Sequence, residues 1–105
     1  MPGGRARGSV REGHDAGTGA LVVNTPARLH HAELELHSVG APWAGAHVAV
    51  QERRAGSHVR YAGVFPRLEA GDYELHVVGA TGGVVVPVAI RAGAVVETWL
   101  DAPVD

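Results

Sequence analysis

Seven histidines stand in a chain that contains no cysteine and no lysine, so metal, acid–base or nucleophilic chemistry would have to come from imidazoles, carboxylates and hydroxyls. Neutral imidazole is the commonest metal ligand among side chains. The seven are His14, His30, His31, His37, His47, His58 and His76. Apart from the adjacent pair His30 and His31, they show none of the tight spacings of short metal motifs. His37 and His47 flank a segment, residues 38–45, that is rich in glycine and carries a proline. A hairpin there would bring the two imidazoles together, which makes His37 and His47 the candidate metal ligands. The competing expectation is a set of solvated histidines on strand faces, with no cofactor.

Nucleophilic catalysis finds little support. The serines are Ser9, Ser38 and Ser57, and no G-x-S-x-G elbow surrounds any of them. Ser57 precedes His58, but neighbouring residues of a strand point to opposite faces and cannot share a proton. Glu33 and Glu35 would lie on one strand face about 7 Å apart, superficially a glycosidase pair, though an exposed acidic face accounts for them more simply. The stretch 79–83 (GATGG) lacks the lysine and the following helix of a phosphate loop and reads as a hairpin turn. With no lysine, Schiff-base chemistry is excluded, and with no cysteine so are disulfides and thiolate sites. The chain is therefore expected not to be an enzyme. Trp43, in the Gly/Pro segment, is the candidate binding residue, because an exposed aromatic can anchor a protein partner or stack on a sugar.

The elements that would position these residues read as short strands. Hydrophobic residues make up 46% of the chain but aromatics only 5%, so valine, alanine and leucine must fill the core, and valine favours pleated surfaces. AELELH (32–37) alternates strictly, with Leu34 and Leu36 on one face and Glu33, Glu35 and His37 on the other. ALVVN (20–24), AHVAVQERR (46–54), HVRYAGVF (58–65), DYELHVV (72–78), VVVPVAIR (84–91) and AVVETWLD (94–101) supply six more runs. In the fourth, Val59, Tyr61 and Phe65 are expected inside. In the fifth, Tyr73, Leu75 and Val77 face in while Glu74 and His76 face out. Pro87 cannot donate to a ladder, which puts its strand at a sheet edge or on a bulge. The last run leaves its buried face open between Val96, Thr98 and Leu100 on one side and Val95 and Trp99 on the other.

Turn signals every 8 to 12 residues between seven such runs predict an all-β, Ig-like or prealbumin-like antiparallel sandwich of about seven strands. Residues 1–18 carry no apolar period and read as a disordered tail, leaving 19–105 as the domain. Removing the tail is expected to leave the melting temperature within about 2 °C.

The phrase from Phe65 to Leu75 (FPRLEAGDYEL) resembles the F-x-x-L-x-x-G-x-Y-x-L phrase of prealbumin-like sandwich domains, the carboxypeptidase regulatory-like domains and the collagen-binding B-type repeats. AGAHVAV (44–50) is similar to their early strand, and residues 90–100 to their closing hairpin. The resemblance implies the sandwich fold and a non-catalytic accessory or adhesive role; separately, a buried Tyr73 phenol must satisfy its hydroxyl, and the preceding turn offers backbone groups near Leu68 and Glu69, as in the tyrosine corner of sandwich folds. Two departures limit the resemblance. The lysine of an isopeptide cross-link is absent, and the chain ends in TWLDAPVD, without the Tyr-Arg-Gly-Ser terminus of the related hydroxyisourate hydrolases.

The expected role is thus a non-enzymatic interaction module that binds a protein partner or itself. The alternatives are a histidine-based metal-binding protein and a carbohydrate-binding module using Trp43, with Trp99 as a second aromatic. Residues 1–12 carry a net +2 and the remainder −4, a mildly acidic body that would repel phosphates, so no nucleic-acid partner is expected. No apolar run reaches the length of a membrane span and no signal-peptide core follows Met1, so neither a membrane partner nor export is expected, and the chain as written would stay in the cytoplasm.

Overall fold

The computed structural model describes residues 17–41, 45–79 and 85–100. Within them the chain forms eight strands: β1 (Thr18–Thr25), β2 (Glu33–Ser38), β3 (Gly45–Ala49), β4 (Gln51–Ala55), β5 (His58–Glu69), β6 (Gly71–Val77), β7 (Val86–Ile90) and β8 (Val95–Trp99). A single 3-10 turn, Ala27–Leu29, is the only helical element among the described residues. The strands make two four-stranded sheets, ordered β4-β5-β1-β8 and β3-β2-β6-β7. The result is an all-β sandwich, as the alternation demands.

Each sheet turns its apolar positions inward. Leu21, Val23 and Phe65 come from the first sheet, Leu34, Leu36, Leu75, Val88 and Ile90 from the second, and Val50, Leu68 and Leu100 complete the core. Fully burying side chains of this kind stabilises by about 1.5–3 kcal/mol each. The sheets touch closely at Gly63, where a Cβ would stand 2.7 Å from Leu34 Cδ1 and 3.0 Å from Val48 Cγ2. The Tyr73 hydroxyl donates to the Glu69 carbonyl at 2.7 Å, the backbone partner expected of a buried phenol after this turn, and the ring packs against the core beside Leu75 and Val77.

Several expectations need correction. There are eight strands because the run 46–54 is two: β3 belongs to one sheet and β4 to the other. Val50 makes the crossing. Its side chain is fully buried, its N–H donates to the Ala32 carbonyl at 2.8 Å, and its carbonyl accepts from His31 N at 3.0 Å. An apolar anchor with both backbone groups satisfied lets the chain change sheets without a glycine turn. One pair also departs from the antiparallel rule, since β8 runs parallel to β1. Val59 is exposed, because the end of the β4–β5 hairpin lies open on both faces, beyond the core.

Other expectations hold. Pro87 lies on β7, an edge strand. The open choice on the last strand resolves with Val96 packed on the core and Leu100 buried, leaving Val95 and Trp99 outside. The domain begins earlier than residue 19, however. Thr18 opens β1, the Gly17 carbonyl accepts from Ala70 N at 3.0 Å and the Thr18 carbonyl from Gly93 N at 2.8 Å. Thermal melts should therefore show no change beyond about 2 °C on deleting residues 1–16, and a fall of about 5 °C or more when the deletion extends through Thr18, since two backbone hydrogen bonds go with it.

Candidate functional site

The outer face of the second sheet gathers the ionisable residues that alternation exposes on three adjacent strands. In β2, Leu34 and Leu36 are fully buried, so Glu33, Glu35 and His37 must point outward. Register then decides which of them meet. Glu35 faces His47 of β3 on one side and His76 of β6 on the other, while His37 faces Gly45 and Glu74.

Glu35 is the hub. The Nε2 of His76 lies 2.8 Å and that of His37 3.2 Å from Glu35 Oε1, while His47 Nε2 lies 2.9 Å from Oε2. The other ring nitrogen of His47, Nδ1, meets Glu33 Oε2 at 2.8 Å, so this imidazole is held between two carboxylates. The rings of His37 and His76 stack with centroids 5.6 Å apart. A shallow recess lined by His37, Ser38, Val39, Glu74, His76 and Val85 opens beside them.

The charges reinforce one another. The hydrogen bond from His37, with the positive potential of His37, His47 and His76, holds the Glu35 carboxyl below its ordinary 4.5, against a smaller opposing effect of burial. The hydrogen bond to Glu33, joined by both carboxylate charges, raises His47 above 6.5. A raised histidine contributes stability below its unfolded value and loses it as pH climbs through the folded one; a lowered carboxylate contributes above its unfolded value and loses it as pH falls through the folded one. Both contributions are therefore at full strength between 4.5 and 6.5. In an NMR titration His47 should titrate above 6.5, and Glu35→Gln should bring it down. A His47 titrating at or below that value would mean that its ring does not sit between the two carboxylates.

The two sequence candidates thus reach the same carboxylate from different sides. His37 shares Glu35 Oε1 with His76, whereas His47 takes the distal oxygen. Glu35, His37 and His76 each offer a ligand atom, all within 4.8 Å of one another. Alternation puts Glu35 and His76 on exposed faces, but the β2–β6 pairing that joins them is not written in the spacing. Trp43 lies outside the described residues. The remaining neighbouring pair, His30 and His31, stacks at 3.8 Å between ring centroids, away from this face.

A second surface lies on the first sheet. Trp99 and Val95 are 70% and 69% exposed on the outer face of edge strand β8. Trp99 borders a small recess of about 130 Å³ lined also by Asn24, Thr25, Val59, Arg60 and Tyr61.

No family model and no curated protein matches the chain. Among solved structures, it is similar to the Bacillus anthracis TIE protein, with a TM-score of 0.58 and 14% identity over 97% of this chain and 20% of that one. A leucine-rich repeat protein from Bacteroides thetaiotaomicron also matches, at a TM-score of 0.44 and 10% identity over 99% of this chain and 16% of that one. The likeness to the first is one of fold. The chain spans about a fifth of that protein's length.

Proposed function

We propose that this chain is a non-enzymatic β-sandwich interaction module of the prealbumin-like kind, which binds a protein partner or a second copy of itself through the β8 edge. One observation carries the proposal: an indole 70% exposed and, four residues earlier on the same outward face, a valine 69% exposed, with Glu97 between them, stand on an edge strand. Solvent exposure of that much apolar surface on a core-capable strand is costly, and tryptophan, tyrosine and arginine are the residues that dominate interface energetics. Arg60 and Tyr61 line the adjoining recess. No described strand pairs with the far side of β8, so its backbone is available for strand addition. The prealbumin-like assignment draws its support from the sandwich itself and from the phrase Phe65 to Leu75, which spans β5 and β6.

Sedimentation velocity across a concentration series, with pull-down from the native host followed by cross-linking at the β8 edge, tests the proposal. Trp99→Ala and Val95→Glu should each abolish the association while leaving the melting temperature within about 2 °C, as expected for exposed side chains. Association indifferent to both substitutions overturns it. So does Trp99-dependent binding to a glycan panel in place of a protein.

A further inference from the structure

Beyond that reading, we propose that Glu35, His37 and His76 form a binding site for one divalent transition-metal ion of the zinc, copper, nickel or iron(II) type on the outer face of the second sheet. Glu35 Oε1 lies 3.2 Å from His37 Nε2 and 2.8 Å from His76 Nε2, and the three residues, on adjacent strands, offer ligand atoms that all lie within 4.8 Å of one another. An ion bound at roughly 2 Å from each ligand needs those atoms no more than about 4 Å apart, so the trio closes around it with shifts of under about an ångström. Paired, rigid strands carry the ligands, which keeps the cost of organising them small.

The donor set selects the ion. Two imidazoles with one carboxylate suit zinc, copper, nickel and iron(II), whereas magnesium and calcium prefer oxygen alone. The face is also electrostatically suited to a cation, since Glu33 and Glu74 flank the trio. The site has the orienting contacts that metal centres use. His47 bonds Glu35 Oε2 at 2.9 Å and Glu33 at 2.8 Å, fixing the carboxylate so that Oε1 faces the two histidines. His47 is therefore a positioning residue and not a ligand. Three protein ligands leave the remaining coordination positions to solvent, on the side of the recess lined by Glu74 and Val85.

Zinc chloride titrated calorimetrically into the full chain, purified without a histidine tag, tests the site. The expected result is one ion per chain, with no comparable binding of Mg²⁺ or Ca²⁺. His37→Ala, His76→Ala and Glu35→Gln should each weaken binding by about 100-fold or more, and His47→Ala by about 10- to 100-fold. His58→Ala and the double variant His30→Ala/His31→Ala should change it by less than about two-fold. A stoichiometry other than one, affinity retained in His76→Ala, or affinity lost with the His30/His31 double variant overturns the proposal. A check that requires no variant uses the imidazole nitrogens of the wild-type protein. Zinc must shift the Nε2 resonances of His37 and His76 and leave those of His58 in place; the reverse pattern refutes the site even if a variant fails to fold.

Discussion

Alanine at position 19 should destabilise the sandwich by about 3 kcal/mol. Gly19 sits near the start of β1, where the register with β5 shifts between Gly19 and Leu21. A Cβ there would meet two backbone oxygens, that of Ala94 at 2.8 Å and that of Arg91 closer still, with Ile90 Cγ2 at 3.2 Å. Carbonyl oxygens of a hydrogen-bonded turn cannot swing aside as a side-chain end would. The same contact carries two backbone bonds, Ala20 N to the Ala94 carbonyl at 3.0 Å and Gly93 N to the Thr18 carbonyl at 2.8 Å. Backing β1 away from the 91–94 turn to admit a methyl group would stretch both. Overpacking costs typically 1–3 kcal/mol and each lost backbone bond about 1, which together give the expected size. Urea melts measure it, with Gly40→Ala as the comparison, because nothing lies within 4 Å of a Cβ at Gly40 and its change should stay within about 0.5 kcal/mol. A cost below about 1 kcal/mol at Gly19 would show that the β7–β8 turn is not packed on β1.

Gly19 also marks where sequence reasoning ends. The strand that follows it is legible from valine and leucine, but position 19 itself reads only as the first residue of the domain, and nothing local says which distant turn crosses over it. The same limit governs the candidate site. Alternation in 32–37 and 72–78 correctly placed Glu35, His37 and His76 on outward faces, because a period of two needs only neighbouring residues to be read. Their meeting depends on β2 pairing with β6, two strands separated by three others in the chain, and on the register Glu35 to His76. A slip of one residue would have turned Glu35 inward and dispersed the cluster. The link of His37 to His47 through a hairpin was half legible for the same reason: consecutive strands pair, but which carboxylate lies between the two imidazoles is fixed by register.

The division of the run 46–54 between two sheets has a different cause. Its apolar alternation continues unbroken through Ala46, Val48 and Val50, so periodicity offers no sign of a boundary. The chain changes sheets at Val50 because the Ala32 and His31 backbone groups capture both of its polar atoms. Those partners come from the approach to β2, and a capture by distant backbone leaves no mark in composition. The consequence reaches function, since the crossing frees β3 to pair with β2 and present His47 to Glu35 while β4 goes on to form the exposed hairpin with β5.

Tyr73 should separate what a ring contributes from what a hydroxyl contributes, with Tyr73→Ala costing about 3 kcal/mol and Tyr73→Phe about 1. The position was set by pattern: two residues past Gly71, at the start of an alternating strand, on the face of Leu75 and Val77. Its ring packs against the core without being fully enclosed, which places the alanine variant at the lower end of the range for deleting an aromatic. The hydroxyl donates to the Glu69 carbonyl at 2.7 Å and so staples β6 to the end of β5, across the corner at Ala70 where the chain passes from one sheet to the other. Burial raises the phenol above its ordinary 10.0, with the Glu69 charge adding to the effect, so the hydroxyl stays a donor throughout the neutral range. A folded value raised in this way means that stability falls as pH rises through 10, where the unfolded chain ionises first. Phenylalanine keeps the packing and loses the staple, and alanine loses both and leaves a gap that Leu68 and Leu75 are too constrained to fill. Denaturant melts of the three proteins measure the two steps. Equal losses in the two variants would assign the whole effect to the corner hydrogen bond, and near-wild-type stability of Tyr73→Ala would show that the ring does not pack on the core.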